Sequence, residues 1–71
     1  ENHSPTHYEL GRVLLAESKF VDAEKSFSFA VEHEKNNVIY VLALSDAQVA
    51  QKKYDLALMT IESAIKINPK Y

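Results

Sequence analysis

The octet Ala23-Glu24-Lys25-Ser26-Phe27-Ser28-Phe29-Ala30 returns 34 residues later as Ala57-Leu58-Met59-Thr60-Ile61-Glu62-Ser63-Ala64. Both keep the frame alanine, three residues, a large apolar residue, two residues, alanine. The correspondence runs beyond the octet. At the same offset Leu10 matches Leu44, Gly11 matches Ser45, and Phe20 matches Tyr54. A chain of 71 residues that repeats itself at this spacing is two copies of one helix–turn–helix unit. A single hairpin cannot bury both faces of its helices, so each copy needs the other as a neighbour.

The local signals agree with four helices. Ser4-Pro5 suits a helix start, because serine accepts orphan amide bonds and proline at the first helical position loses none. A first helix is predicted from about Pro5 to about Ser18, with Leu10 and Leu14 stacked on one face. Gly11 lies inside it, at a cost of about 0.5–1 kcal/mol against alanine, which suggests close approach by another helix. Glu17 to Phe20 is predicted as a turn. The second helix then runs from Val21 or Asp22 to about Glu34. Its buried stripe is Ala23, Phe27 and Ala30, with Phe29 and Val31 beside them, and Ser26 and Ser28 mark a solvent edge. Asn36-Asn37 breaks the chain. The run Val38-Ile39-Tyr40-Val41-Leu42-Ala43-Leu44 is apolar all round, and its polar continuation to Gln51 favours a helix covered on more than one face. After a turn at Lys52-Lys53-Tyr54, a last helix carries Ala57, Ile61, Ala64 and Ile65 inward. It ends before Pro69, since proline disfavours helical geometry in the residue before it.

A 34-residue period with two helices per unit resembles the tetratricopeptide repeat. The family's leucine–glycine pair falls on Leu10-Gly11 and on Leu44-Ser45. Its turn aromatic falls on Phe20 and Tyr54, and its alanine–aromatic–alanine series on Ala23, Phe27, Ala30 and on Ala57, Ile61, Ala64. The closing proline falls on Pro69. The departures are His7 and Val41 where tryptophan is usual, Leu14 and Gln48 where tyrosine is usual, and Lys35 in place of the first unit's proline. The resemblance covers Ser4 to Tyr71. It implies an all-α single domain over residues 1–71, with repeats at about 4–37 and 38–71, as two stacked antiparallel hairpins of an α-solenoid with superhelical form.

The resemblance also implies where the chain works. In the family the first helix of each unit lines a concave groove. Carried over, the lining is Pro5, Tyr8, Glu9, Arg12, Leu15 and Ala16 from the first unit. The second unit adds Ile39, Leu42, Ala43, Asp46, Val49 and Ala50. Tyr8 and Leu42 are the expected apolar anchors, and Arg12 and Asp46 fix polarity. Tyr8, Arg12 and Ala43 replace the residues of the carboxylate clamp found in chaperone-binding relatives, so that activity is not expected. The function implied is a protein-interaction module whose largely apolar groove binds a peptide or helix. The alternative is a structural or assembly fragment, with the groove filled by further repeats or by another copy of the chain. Repeat arrays need capping elements, and the last residues show no solubilising helix. Either the native protein continues past Tyr71 or the chain self-associates.

Composition narrows the remaining classes. The formal net charge is −2, with charges of both signs interspersed and Arg12 the only arginine, so the clustered basic surface of a nucleic-acid binder is missing. No apolar run approaches the roughly 18 residues of a membrane span. Cysteine is absent, which rules out disulfides and fits a reducing, cytoplasmic setting, as does the lack of a visible signal segment. His3, His7 and His33 do not form a metal-ligand set. Glu32, His33 and Glu34 are adjacent and point different ways around a helix. The serines carry no nucleophile motif, and the single glycine builds no phosphate loop. No catalytic residue, cofactor or metal is expected.

Overall fold

The computed structural model describes residues 4–70, with side chains from His7 onward. It holds four helices: α1 (Ser4–Ala16), α2 (Phe20–His33), α3 (Val38–Ala50) and α4 (Tyr54–Ile67). Every boundary in the second half stands 34 residues after its counterpart in the first, from Ser4 and Val38 to His33 and Ile67.

The turns repeat down to individual hydrogen bonds. At the end of α1 the Lys19 amide donates to the Leu14 carbonyl at 2.8 Å and the Ser18 amide to Leu15 at 3.0 Å. At the end of α3 the Lys53 amide donates to Gln48 at 2.9 Å and the Lys52 amide to Val49 at 2.8 Å. This crossed pair satisfies carbonyls that a helix terminus leaves open, and it needs a left-handed residue at the crossing. Ser18 and Lys52 fill that role, each with φ of 64°. The turn is tighter than the sequence reading allowed. Phe20 and Tyr54 are the first residues of α2 and α4, because Lys19 and Lys53 already accept from the Ala23 and Ala57 amides at 2.9 Å. Between the hairpins Asn37 caps α3, its Oδ1 accepting from the Tyr40 amide at 3.2 Å.

The core sits between α1, α2 and α3. Ala23, Phe27 and Ala47 are fully buried and form its centre, with Tyr8, Leu14, Leu15, Ala43 and Leu44 packed around them. Burying a phenylalanine ring is worth about 1.5–3 kcal/mol. Gly11 is where that ring meets α1. A Cβ added there would lie 2.5 Å from Phe27 Cε1 and 2.6 Å from Cδ1, so the close approach suggested by the lone glycine is present. Two residues expected to face inward, Phe29 and Ile65, are exposed instead. Ser26, expected at a solvent edge, is buried.

The expectation of an α-solenoid with superhelical form is corrected by the dimensions. The radius of gyration is 11.3 Å, against about 11 Å for a compact globule of this length. The extents are 33 × 30 × 16 Å. The architecture is an all-α, compact four-helix bundle. Its cause is α3, whose first half is apolar all round and which touches each of the other three helices. One helix shared by both hairpins draws them into a single body.

Candidate interaction surface

The packing of α3 onto α2 shows how this molecule receives a helix. On α2 the Phe20 carbonyl, Glu24 and Phe27 meet α3, and Val31 continues their row at helical spacing. Phe27 lies against Ala47 in the core. Tyr8 of α1 stacks on Tyr40 of α3 with ring centroids 4.9 Å apart. The lower end is held by polar groups. Gln51 Nε2 donates to Glu24 Oε1 at 2.6 Å and to the Ala47 carbonyl at 3.1 Å, and Lys53 Nζ reaches the same Glu24 oxygen at 3.2 Å. Burial raises the pKa of Glu24, but the hydrogen bonds from Gln51 and Lys53 and the Lys53 charge outweigh it, leaving the carboxyl below its ordinary value. Glu24 is therefore ionised at neutral pH in a joint that is half-buried at Glu24 and Gln51 and open to solvent at Lys53. Tyr40 is shifted the other way: burial first, then the charge of Glu34 and the neighbouring Tyr8 and Glu9, push its phenol up.

The corresponding stripe on α4 is Tyr54, Leu58, Ile61 and Ile65. No helix among the described residues lies over it. Tyr54 is 60%, Leu58 56% and Ile65 54% exposed, and Ile61 is half-buried. Where α2 carries Glu24 within its stripe, α4 carries Leu58, so the face is apolar throughout. Beside it α3 contributes Leu42, the counterpart of Tyr8. Leu42, Ile61, Ala64, Ile65 and Asn68 line a cleft of about 230 Å³ between α3 and α4. Single exposed apolar residues are ordinary on a protein surface, and a row of them along one helix face is what makes this surface the candidate.

The residues implied by the family resemblance stand in several different surroundings. Tyr8, Leu15 and Ala43 are packed around the core. Tyr8 is held between the rings of Phe27 and Tyr40, with the Arg12 guanidinium carbon 5.8 Å from its centroid. Glu9 and Arg12 are exposed and line a shallow depression on α1 together with Val13. Ile39, Asp46 and Val49 are exposed on α3, as is Ala16 at the end of α1, while Ala50 is half-buried. Leu42 alone among them faces the α3–α4 cleft. The Pro5 side chain and His3 lie outside the described residues. His7 stacks on Phe29 at 3.9 Å, and Phe29 in turn meets His33 at 4.4 Å. These two histidines are joined through an aromatic ring, and no group of three His, Asp or Glu among the described residues could hold a metal ion. No helix there is long and apolar enough to cross a membrane.

Sequence reasoning missed the Glu24–Gln51–Lys53 joint. Its signal was present, since Glu24 stands where the second copy has Leu58, and a charge inside a packing stripe needs partners. Comparison with protein-family models, with curated proteins and with solved structures finds no match.

Proposed function

We propose that this chain is a protein-interaction module that takes an amphipathic helix or helical peptide on the α3–α4 face. The observation that supports this reading is the uncovered stripe Tyr54, Leu58, Ile61 and Ile65, the counterpart of the stripe on which α2 receives α3. Affinity would come from burying Leu42, Leu58, Ile61 and Ile65 under the incoming helix, at about 25 cal/mol per Å² of apolar surface before the costs of association. Glu62, Lys66 and Asn68 supply the polar rim.

Titration with a synthetic amphipathic leucine–alanine–lysine helix, followed by nuclear magnetic resonance, tests it. Methyl signals of Leu42, Leu58, Ile61 and Ile65 should move together and saturate. Leu42→Asp should abolish that binding while far-ultraviolet dichroism shows the helices intact. Shifts confined to other faces, or none, would refute the assignment.

A further inference from the structure

We infer that the occupant of the α3–α4 face is a second copy of this chain, docked head to tail, with its α1 lying where α3 lies on α2. This rests on the reading of the α3–α4 face as a helix-receiving surface and adds the identity of what it receives.

The argument starts from the internal joint. α1 and α3 are the same element of the two repeats, so the face by which α3 meets α2 has a counterpart on α1. Leu44 and Ala47, both at that joint, correspond to Leu10 and Val13. Leu10 is 48% and Val13 53% exposed. The molecule therefore shows two uncovered apolar faces, and the repeat makes them the two halves of one joint. Moving the internal contacts by one repeat gives the new ones. The large-on-small pair Phe27 and Ala47 becomes Ile61 on the second copy's Val13, where a smaller core residue is offset by a larger partner. Leu44, packed at the core, becomes the second copy's Leu10.

The polar groups follow. Glu24 is replaced by Leu58, and Gln51 and Lys53 by Glu17 and Lys19. Those two are already paired with each other at 3.6 Å, so the joint receives a neutral pair where the internal one has a half-buried carboxylate. Glu9 takes the place of half-buried Ala43, which packs against the core, so the joint must seat a carboxylate where the internal one has a methyl group, and the Asn68 amide group lining the cleft is a donor for it. Arg12 and Asp46 occupy equivalent positions on α1 and α3, so a head-to-tail joint sets the second copy's Arg12 beside Asp46. Opposite charges then alternate along the exposed row, a pattern that favours this register over its reverse. The two faces differ, so a dimer still leaves one of each free, and a joint of this kind grows rather than closing as a dimer.

Sedimentation equilibrium of the whole chain decides the matter. The weight-average mass should rise with concentration past twice the 8.1 kDa monomer. Val13→Glu, which spoils the α1 face, and Ile65→Glu, which spoils the α4 face, should each remain monomeric. An equimolar mixture of the two should form a heterodimer of twice the monomer mass and grow no further, because one good joint survives. Leu10→Glu with Leu58→Glu is a second such pair, and all four residues are exposed enough for the fold to tolerate the change. A wild-type chain that stays monomeric at millimolar concentration would overturn the inference, and so would a Val13→Glu chain that still dimerises. If that monomer still binds the synthetic amphipathic helix, the interaction reading stands and only the second copy is lost. If it binds neither, both fall.

Discussion

Replacing Gly11 by alanine sets two physical effects against each other. Helix propensity favours the change, since glycine inside a helix costs about 0.5–1 kcal/mol relative to alanine. Packing opposes it. The new Cβ would sit 2.5, 2.6 and 2.9 Å from three carbons of the Phe27 ring. That ring is fully buried, so it cannot swing into solvent as the end of a surface side chain would. Overpacking of this kind costs about 1–3 kcal/mol. The balance is a net loss of up to about 2.5 kcal/mol, centred on about 1, and in a domain of this size each kcal/mol moves the midpoint by about 4–8 °C. Thermal melts followed by far-ultraviolet dichroism should place Gly11→Ala clearly below the wild type. Adding Phe27→Leu should recover part of the difference, so that the double variant loses less than the sum of the singles. A Gly11→Ala chain as stable as the wild type, or more stable, would refute the claim that Gly11 is needed for the α1–α2 approach.

Other perturbations address the turns and the polar joint. Ser18→Gly and Lys52→Gly should each stabilise the chain by up to about 1 kcal/mol, because both residues hold φ of 64° and a side chain makes that region costly; denaturant midpoints that fall in both variants would remove the argument. Glu24 has its folded pKa below the ordinary value, so its contribution is present above the unfolded pKa and disappears as pH falls through the folded one. Between pH of about 6 and about 3 the wild type should therefore lose more stability than Glu24→Gln, and equal losses would show that the Gln51 and Lys53 bonds do not matter. The phenol of Tyr40 is pushed up, so ultraviolet titration should find one of the four tyrosines ionising late. Its neutral form then stabilises the fold until pH rises through the raised value. Tyr40→Phe should remove the late step.

The helices were legible because their signals are local. Asn37 reads as a cap and is one, and the break at Asn68-Pro69 falls where α4 ends. The turn residues were placed one or two positions off for a reason also visible in the bonds. Ser18 and Lys52 carry the left-handed conformation that glycine normally signals, so the sequence at that point offered no punctuation. Gly11 was readable as a close approach, but its partner Phe27 was fixed only by the packing of α2. The site was harder to read because it depends on which face is left uncovered. Periodicity marks Ile61 and Ile65 as inward residues, as it marks Phe27 and Val31. Nothing local distinguishes a stripe with a helix over it from one without.

The difference between the two stripes is informative in itself. If α2 and α4 were equivalent helices with equivalent fates, the end of the molecule would expose the same mixture that its middle buries. It does not. The buried stripe contains a carboxylate that must find Gln51 and Lys53, whereas the open stripe replaces it with Leu58, and the Gly11–Phe27 pair with Ser45 and Ile61. An open surface under no constraint but solubility would accumulate charge where water is the only neighbour. Here the charged position is on the covered helix and the apolar one is on the open helix. Leu58 is therefore the residue on which the proposed interaction surface rests most directly: polar contacts fix α3 in register on α2, and the equivalent position on α4 is apolar and exposed.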